Sequence, residues 1–77
     1  MADLIARVKE VLRNELNLEA IEDDAKQEDY PEWDSLTYLR VVAALEDTFK
    51  IRITPENINK FNSVASIVDE IEKYNDR

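Results

Sequence analysis

Three stretches of this sequence carry apolar residues at spacings of three and four, and this pattern constrains the possible fold more than any other feature. The three apolar sets are Leu4, Ile5, Val8, Val11, Leu12 and Leu16; Tyr38, Val41, Val42, Leu45 and Phe49; and Val64, Ile67, Val68 and Ile71. Residues at this spacing share one face of an α-helix. Because each apolar face must be buried against another element, the sequence predicts an all-α fold, a small helical bundle.

The first two helices have boundaries that can be read from the sequence. Asp3 is a suitable N-cap for the first helix, and Asn17 is expected to end it, because asparagine tolerates the left-handed conformation of a helix C-terminus. The second helix should run from Ser35 to about Lys50. A long connection separates the two, and its apolar residues are expected to pack onto the helices.

A short third helix and a longer fourth helix should follow. Residues Thr54–Glu56 offer a capping residue, a proline suited to the first helical position and an early acidic residue. Ile58 and Phe61 would face inward from the short helix. Ser63 is the expected N-cap of the last helix, which should end near Tyr74–Asn75. The expected bundle therefore has three main helices and one short one.

The charge balance excludes several classes of partner. The 77 residues include 18 acidic and 10 basic side chains, which give a net charge of -8. Nucleic acids and anionic membrane surfaces repel such a protein, so neither is expected as a partner. A chain of this length has room for one small core, and we expect a single domain over residues 1–77 that exists as a monomer.

Catalysis and metal binding by the chain itself are also disfavoured. The sequence contains no cysteine and no histidine, which removes the usual nucleophile, general base and metal ligands. The acidic connection from Asn17 to Trp33 does not fit a calcium loop, because counting from Asp24 puts Lys26 at the third position and no glycine is available for the sixth. We expect no catalytic residue and no metal site.

The same composition bears on the cellular location. No apolar stretch approaches the roughly 18 residues that a membrane span requires, and no apolar run follows a basic N-terminus. The lack of cysteine fits a reducing compartment. We therefore expect a cytoplasmic protein without membrane insertion.

The segment Trp33–Leu36 stands where the second helix begins. Asp34 is a good N-cap, which places Ser35 at the first helical position with its hydroxyl toward solvent. A phosphate ester on that hydroxyl would face the positive end of the helix dipole. The same Asp-Ser pattern also caps many helices that perform no chemistry. These residues alone leave open whether Ser35 is an attachment site or only a helix start.

The surrounding sequence adds further matches to this motif. They are Asp34-Ser35-Leu36, then Val41-Val42-Ala43-Ala44-Leu45-Glu46 and Phe49, then Ile51–Glu56 and Phe61–Val64. With these segments the chain resembles the acyl carrier protein family over essentially its whole length. In that family the serine of the Asp-Ser-Leu motif carries 4'-phosphopantetheine, which comes from coenzyme A. The resemblance implies that Ser35 carries this arm and that Asp34 belongs to the same motif.

The resemblance also implies a carrier and not an enzyme. The thiol of the arm would hold an acyl or aminoacyl group, and the chemistry would belong to partners, namely a phosphopantetheinyl transferase and enzymes that load and process the cargo. The second helix is the family's recognition surface. Five residues of this helix turn away from its apolar face: Leu36, Arg40, Ala43, Ala44 and Asp47. We expect Leu36, Arg40, Ala43 and Asp47 to contact the partner enzymes.

Two residues of the second helix bear on the pathway. Thr37 and Arg40 stand where carboxylates of the family often face partner enzymes. This favours a specialised lipid, polyketide or related pathway over housekeeping fatty acid biosynthesis. The alternative from another class is a small acidic helical protein-interaction module without a prosthetic group, in which Ser35 only starts a helix.

Overall fold

The computed structural model describes residues 4–75 and confirms the all-α fold. Its elements, in chain order, are α1 (Leu4–Leu16), the 3-10 helix η1 (Gln27–Asp29), α2 (Ser35–Phe49), the 3-10 helix η2 (Ile58–Lys60) and α3 (Val64–Asn75). No strand occurs within residues 4–75, where Lys26 and Ser63 form an isolated antiparallel bridge. The expected N-cap Asp3 lies outside the described residues. The three main helices match the three apolar stretches.

A single core lies where the helices meet. α1 packs against both α2 and α3, so the apolar faces of all three helices are buried together. The fully buried side chains include Leu12 of α1, Leu45 of α2 and Ile67 of α3, and they are joined by Trp33 and Phe61 from the connections. Burial of these faces is what the apolar spacing predicted.

The long connection between α1 and α2 is anchored at both its apolar and its backbone groups. Ile21 and Ala25 are buried in the core. The Gln27 N–H donates to the Asn62 carbonyl at 2.8 Å, and the Val64 N–H donates to the Ala25 carbonyl at 3.0 Å. These bonds join the connection to the start of α3, which confirms that the loop packs onto the helices.

Two helices end in residues with left-handed backbone conformation, although the chain has no glycine. Asn17, at φ 59°, ends α1 as expected, and the Leu18 N–H then donates to the Arg13 carbonyl at 2.9 Å. Lys50, at φ 56°, ends α2 in the same way. This arrangement satisfies carbonyl groups that would otherwise lack partners at the helix ends. The left-handed lysine was not anticipated, because lysine has no special tolerance for this conformation.

The prediction of a short third helix capped by Thr54 is wrong for the first half of that helix. Thr54 does not act as an N-cap, because its hydroxyl is buried without a hydrogen-bond partner in the described part of the chain. The Asn57 N–H instead donates to the Thr54 carbonyl at 3.0 Å, which closes a turn. Only η2 is helical, and it begins at Ile58. Phe61 is buried as expected, and Ile58 is partly buried against the core.

Three residues of α2 differ in burial from what the sequence predicted, and the first is Tyr38, which belongs to the apolar face but is only partly buried. Phe49 was assigned to the core but is only partly buried, because it is the last residue of α2 and lies at the edge of the bundle. The guanidinium of Arg7 covers its ring, with Cζ 4.5 Å from the ring centroid. Ala44 was assigned to the outer face but is partly buried against the core.

Candidate functional site

The start of α2 has the capped geometry that the sequence predicted. Asp34 has an extended backbone, and its Oδ1 accepts a hydrogen bond of 2.9 Å from the Thr37 N–H. This hydrogen bond favours the ionised carboxylate and lowers the pKa of Asp34 below its ordinary value. The Tyr38 N–H donates to the Asp34 carbonyl at 2.7 Å. Asp34 therefore fixes the first turn of α2 through both its side chain and its backbone.

Ser35 is the first residue of α2 and is exposed. Its hydroxyl makes no hydrogen bond to any other residue in the part of the chain that the structure describes. A group attached there would project into solvent beside the positive end of the α2 dipole. The two other serines are committed elsewhere: the Ser63 hydroxyl accepts from the Ser66 N–H at 3.1 Å and donates to the Ser66 hydroxyl at 2.8 Å. Ser63 thus caps α3 as expected.

Trp33 anchors the segment that leads into this site. Its side chain is buried in the core, where the indole Nε1 has no hydrogen-bond partner among the described residues, and its backbone N–H donates to the Tyr30 carbonyl at 3.0 Å. A buried indole immediately before the N-cap fixes the direction in which Asp34 and Ser35 leave the core. This role was not assigned from the sequence, although the size of a tryptophan beside the motif was a usable signal.

Tyr38 connects α2 to η2, and this contact was missed by sequence reasoning. Its hydroxyl donates to the Ile58 carbonyl and accepts from the Phe61 N–H at 3.1 Å. Burial raises the pKa of Tyr38, so the hydroxyl keeps its proton at neutral pH. The hydroxyl holds η2 beside the first turns of α2. The contact joins residues twenty and more positions apart, which apolar spacing alone does not reveal.

The outer side of α2 is exposed along its length. Leu36, Arg40, Ala43 and Asp47 are all exposed, as their positions in the sequence predicted. Leu39 is also exposed and was not included in the predicted surface. Its position three residues after Leu36 was the signal that it shares the same face. Five exposed residues therefore extend from Ser35 along α2.

The chemistry available at this site is attachment through an oxygen. Within residues 4–75 no group of acidic side chains is arranged to hold a metal ion. No helix in the same range is both long and apolar enough to cross a bilayer. An uncrowded serine hydroxyl at a capped helix N-terminus can bear a phosphate ester, since the ester charge would be stabilised there.

Comparisons with known proteins agree with this geometry. A family model described as a phosphopantetheine attachment site matches residues 3–71. Two proteins named acyl carrier protein, from the Tuc7 and APS strains of Buchnera aphidicola subsp. Acyrthosiphon pisum, are each 34% identical in an alignment of 77 positions that covers 97% of this chain and 96% of theirs. An acyl carrier protein of Buchnera aphidicola subsp. Baizongia pistaciae is 30% identical in an alignment of 76 positions that covers 96% of this chain and 97% of its own length.

Fold and matched segment together define a helical domain of the phosphopantetheine-binding class. The chain belongs to the acyl carrier protein family, which confirms the resemblance noted from its sequence. Members of this family are carriers and not catalysts, and they carry a covalently attached 4'-phosphopantetheine. Membership also implies interaction with a phosphopantetheinyl transferase and with acyl-processing enzymes.

Proposed function

We propose that this protein carries an acyl or aminoacyl group on a 4'-phosphopantetheine arm attached to Ser35. The observation that supports this site most strongly is the position of Ser35, which is exposed at the first residue of α2 inside the family match. Asp34 caps the same turn, while Ser63 and Ser66 bond to each other at the start of α3. The arm supplies a terminal thiol that holds the cargo as a thioester.

Attachment requires that Ser35 act as a nucleophile toward coenzyme A. Its Oγ forms a bond to the phosphorus of the phosphopantetheine phosphate as the bond from that phosphorus to 3',5'-ADP breaks. The hydroxyl proton leaves to a base on the transferase, because the described chain offers no histidine for this task. The contribution of this protein is to hold the hydroxyl exposed and fixed, through the Asp34 cap and the buried Trp33.

The outer side of α2 is proposed to be the surface that partner enzymes contact. Any enzyme that reaches an arm on Ser35 must approach the N-terminal end of this helix. Leu36 and Arg40 are exposed near this end, and Ala43 and Asp47 are exposed further along the same side of the helix, so none of the four is part of the core. Leu36, as the apolar side chain beside Ser35, would contribute most to affinity, whereas the charged Arg40 and Asp47 would tune partner choice.

A specialised lipid, polyketide or related pathway is proposed over housekeeping fatty acid synthesis. Thr37 and Arg40 support this, because they stand where carboxylates are common in the family. The first half of α2 therefore has no acidic side chain that could pair with a strongly basic partner surface. We further propose that the protein acts as a monomeric single domain over residues 1–77. The cytoplasm is its proposed location, since coenzyme A, the source of the arm, is an intracellular compound.

Intact-protein mass after incubation with coenzyme A and a phosphopantetheinyl transferase tests the attachment site. The wild-type chain is expected to gain one phosphopantetheine group, and so is the control Ser66→Ala. Ser35→Ala should fold, as circular dichroism would show, and gain nothing. A mass gain in folded Ser35→Ala would refute the site assignment. No gain in the wild type would instead favour the protein-interaction module without a prosthetic group.

A further inference from the structure

The start of α2 exposes an apolar pair that the core does not use. Leu36 is 70% exposed and Leu39 is 56% exposed, and no other large apolar side chain between residues 4 and 75 is exposed. Residues three apart on a helix lie side by side on its surface, so the two leucines form one patch next to Ser35. Contiguous exposed apolar side chains beside a functional residue mark interaction sites more often than isolated ones do.

The charge of the same segment differs from that of the rest of the molecule. The chain carries 18 acidic residues, yet residues 35–45 contain none, and Arg40 is their single charged residue. Arg40 is exposed and lies one helical turn after Leu36 on the same side of α2, so it borders the apolar patch. The first half of α2 is therefore a neutral to cationic surface on an acidic protein.

Arg40 remains available to a partner. Its Nε lies 3.9 Å from Oε1 of Glu15, which is too long for a hydrogen bond, and its side chain is 65% exposed. The Glu15 side chain is 28% exposed, and an ion pair of this length with an exposed arginine contributes little to stability. The guanidinium can therefore form a bidentate hydrogen-bonded pair with a second carboxylate without a large cost to the fold.

We propose that Leu36, Leu39 and Arg40 form a docking surface for enzymes that present an apolar groove with a carboxylate opposite Arg40. This proposal rests on the carrier function proposed above and names the partner chemistry of that same site. Charge complementarity supports the proposal, because a carboxylate in this position meets Arg40, the one charged residue of the segment 35–45. The nearby Glu15 carboxylate is 28% exposed and 3.9 Å from the Arg40 Nε, so it pairs with Arg40 only loosely. A partner that was acidic throughout would be repelled by the net charge of -8, so the carboxylate must be local.

The charge component can be tested with a matched pair of transferases. The first probe is a phosphopantetheinyl transferase with a lysine or arginine in its groove opposite α2, and the second is its variant with glutamate at that position. For each probe, kcat/KM is measured by intact mass on the wild type, Arg40→Glu and Arg40→Gln. A control variant, Lys26→Glu, makes the same change in net charge at an exposed side chain with no ion pair in the described residues.

Wild-type protein should be the better substrate of the glutamate-bearing transferase, and Arg40→Glu should be the better substrate of the cationic one. We expect each preference to be about fivefold or more at low salt and to shrink at high salt, as for other interface charge pairs. Arg40→Gln should fall between the two. Lys26→Glu should follow the wild type within about twofold on both probes, because Lys26 lies outside α2 and the variant leaves Leu36, Leu39 and Arg40 unchanged.

The apolar component has its own variants. Leu36→Ala and Leu39→Ala should each lower kcat/KM by about tenfold with both transferases, because truncating a central apolar anchor costs affinity whatever charge borders it. The matched control is Thr48→Ala, a truncation at an exposed position near the other end of α2. It should stay within about twofold of the wild type. Circular dichroism and a thermal melt confirm that every variant is folded.

The outcomes separate the two proposals. The charge assignment would be overturned if wild type and Arg40→Glu had equal kcat/KM with each transferase. It would also be overturned if the two transferases both preferred the wild type, or both preferred Arg40→Glu. An unchanged rate for folded Leu39→Ala would remove Leu39 from the surface. No modification of the wild type by either transferase would contradict the carrier function itself, whatever the docking surface.

Discussion

Asp34 shows how one side chain sets the geometry on which Ser35 depends. Its carboxylate accepts the Thr37 N–H, and this bond lowers the pKa of Asp34. In the unfolded chain the bond is absent and the pKa returns to its ordinary value near 3.8. The folded state therefore holds this proton less tightly than the unfolded state does.

Asp34→Asn is expected to reduce the acid sensitivity of the fold. In the wild type the stabilisation by Asp34 is fully present above its unfolded pKa and is lost as the pH falls through the lower folded pKa. Asparagine keeps an N-cap oxygen but does not titrate, so the difference in melting temperature between pH 7 and acid pH should become smaller. The measurement is the melting temperature across this range. An equal decrease in both proteins would mean that the Asp34 cap does not contribute to acid unfolding.

Among the elements, η2 depends on a contact from α2. The Tyr38 hydroxyl joins the Ile58 carbonyl and the Phe61 N–H, two backbone groups near the partly buried η2. Tyr38→Phe would leave both groups without this partner, which should lower the free energy of unfolding by about 1–3 kcal/mol. Hydrogen exchange of the Phe61 amide should become faster.

The control for this variant is Tyr30→Phe. Tyr30 is partly buried, as Tyr38 is, but its hydroxyl makes no hydrogen bond to other described residues. Removing this hydroxyl should therefore change the free energy of unfolding, measured in urea, by less than about 0.5 kcal/mol. If Tyr38→Phe and Tyr30→Phe were equally stable and the Phe61 amide exchanged at its original rate, the link between α2 and η2 would have no energetic role.

The two ends of the α2 apolar face should differ in their contribution to stability. Leu45 is fully buried, so Leu45→Ala should cost about 2–5 kcal/mol through lost burial and the cavity left behind. Phe49 is partly buried under Arg7 at the end of the helix. The apolar spacing placed Phe49 in the core, where Phe49→Ala would cost roughly 3–5 kcal/mol, whereas its position at the edge of the bundle favours a cost of about 1–2 kcal/mol.

Urea denaturation of both variants checks this ranking. Leu45→Ala should have a markedly lower unfolding midpoint than Phe49→Ala. A larger loss for Phe49→Ala would show that the stacked Arg7 and Phe49 side chains contribute more than their burial indicates. Arg7→Gln distinguishes this case, since it removes the cation and leaves the phenyl ring in place.

Local patterns predicted the elements well, and long-range contacts account for what was missed. The spacing of apolar residues located α1, α2 and α3, and the Ser63 cap and the left-handed Asn17 followed from residue type. The turn at Thr54 and the left-handed Lys50 depend on how the chain returns to the bundle. For the site, the capped and exposed Ser35 was predictable, because its geometry is set within one turn.

At the scale of the whole molecule, excess negative charge opposes compaction. The 18 acidic residues outnumber the 10 basic ones, and an acidic cluster of Glu22, Asp23 and Asp24 follows α1 in the connection. Lys9 offsets part of this cluster through an ion pair of 2.6 Å with Asp23. Most carboxylates have no such partner among the described residues, so folding brings like charges closer together.

Raising the ionic strength should therefore stabilise the protein. The screening length falls from about 30 Å at 0.01 M salt to about 8 Å at 0.15 M, which weakens repulsion spread over the surface more than a contact pair such as Lys9–Asp23. We expect the melting temperature to rise by about 4–8 °C for each 1 kcal/mol of repulsion that is removed. The double variant Glu22→Gln, Asp24→Asn should melt higher than the wild type at low salt and respond less to added salt. A melting temperature that falls as salt is added would instead show that ion pairs outweigh the net repulsion in holding the bundle together.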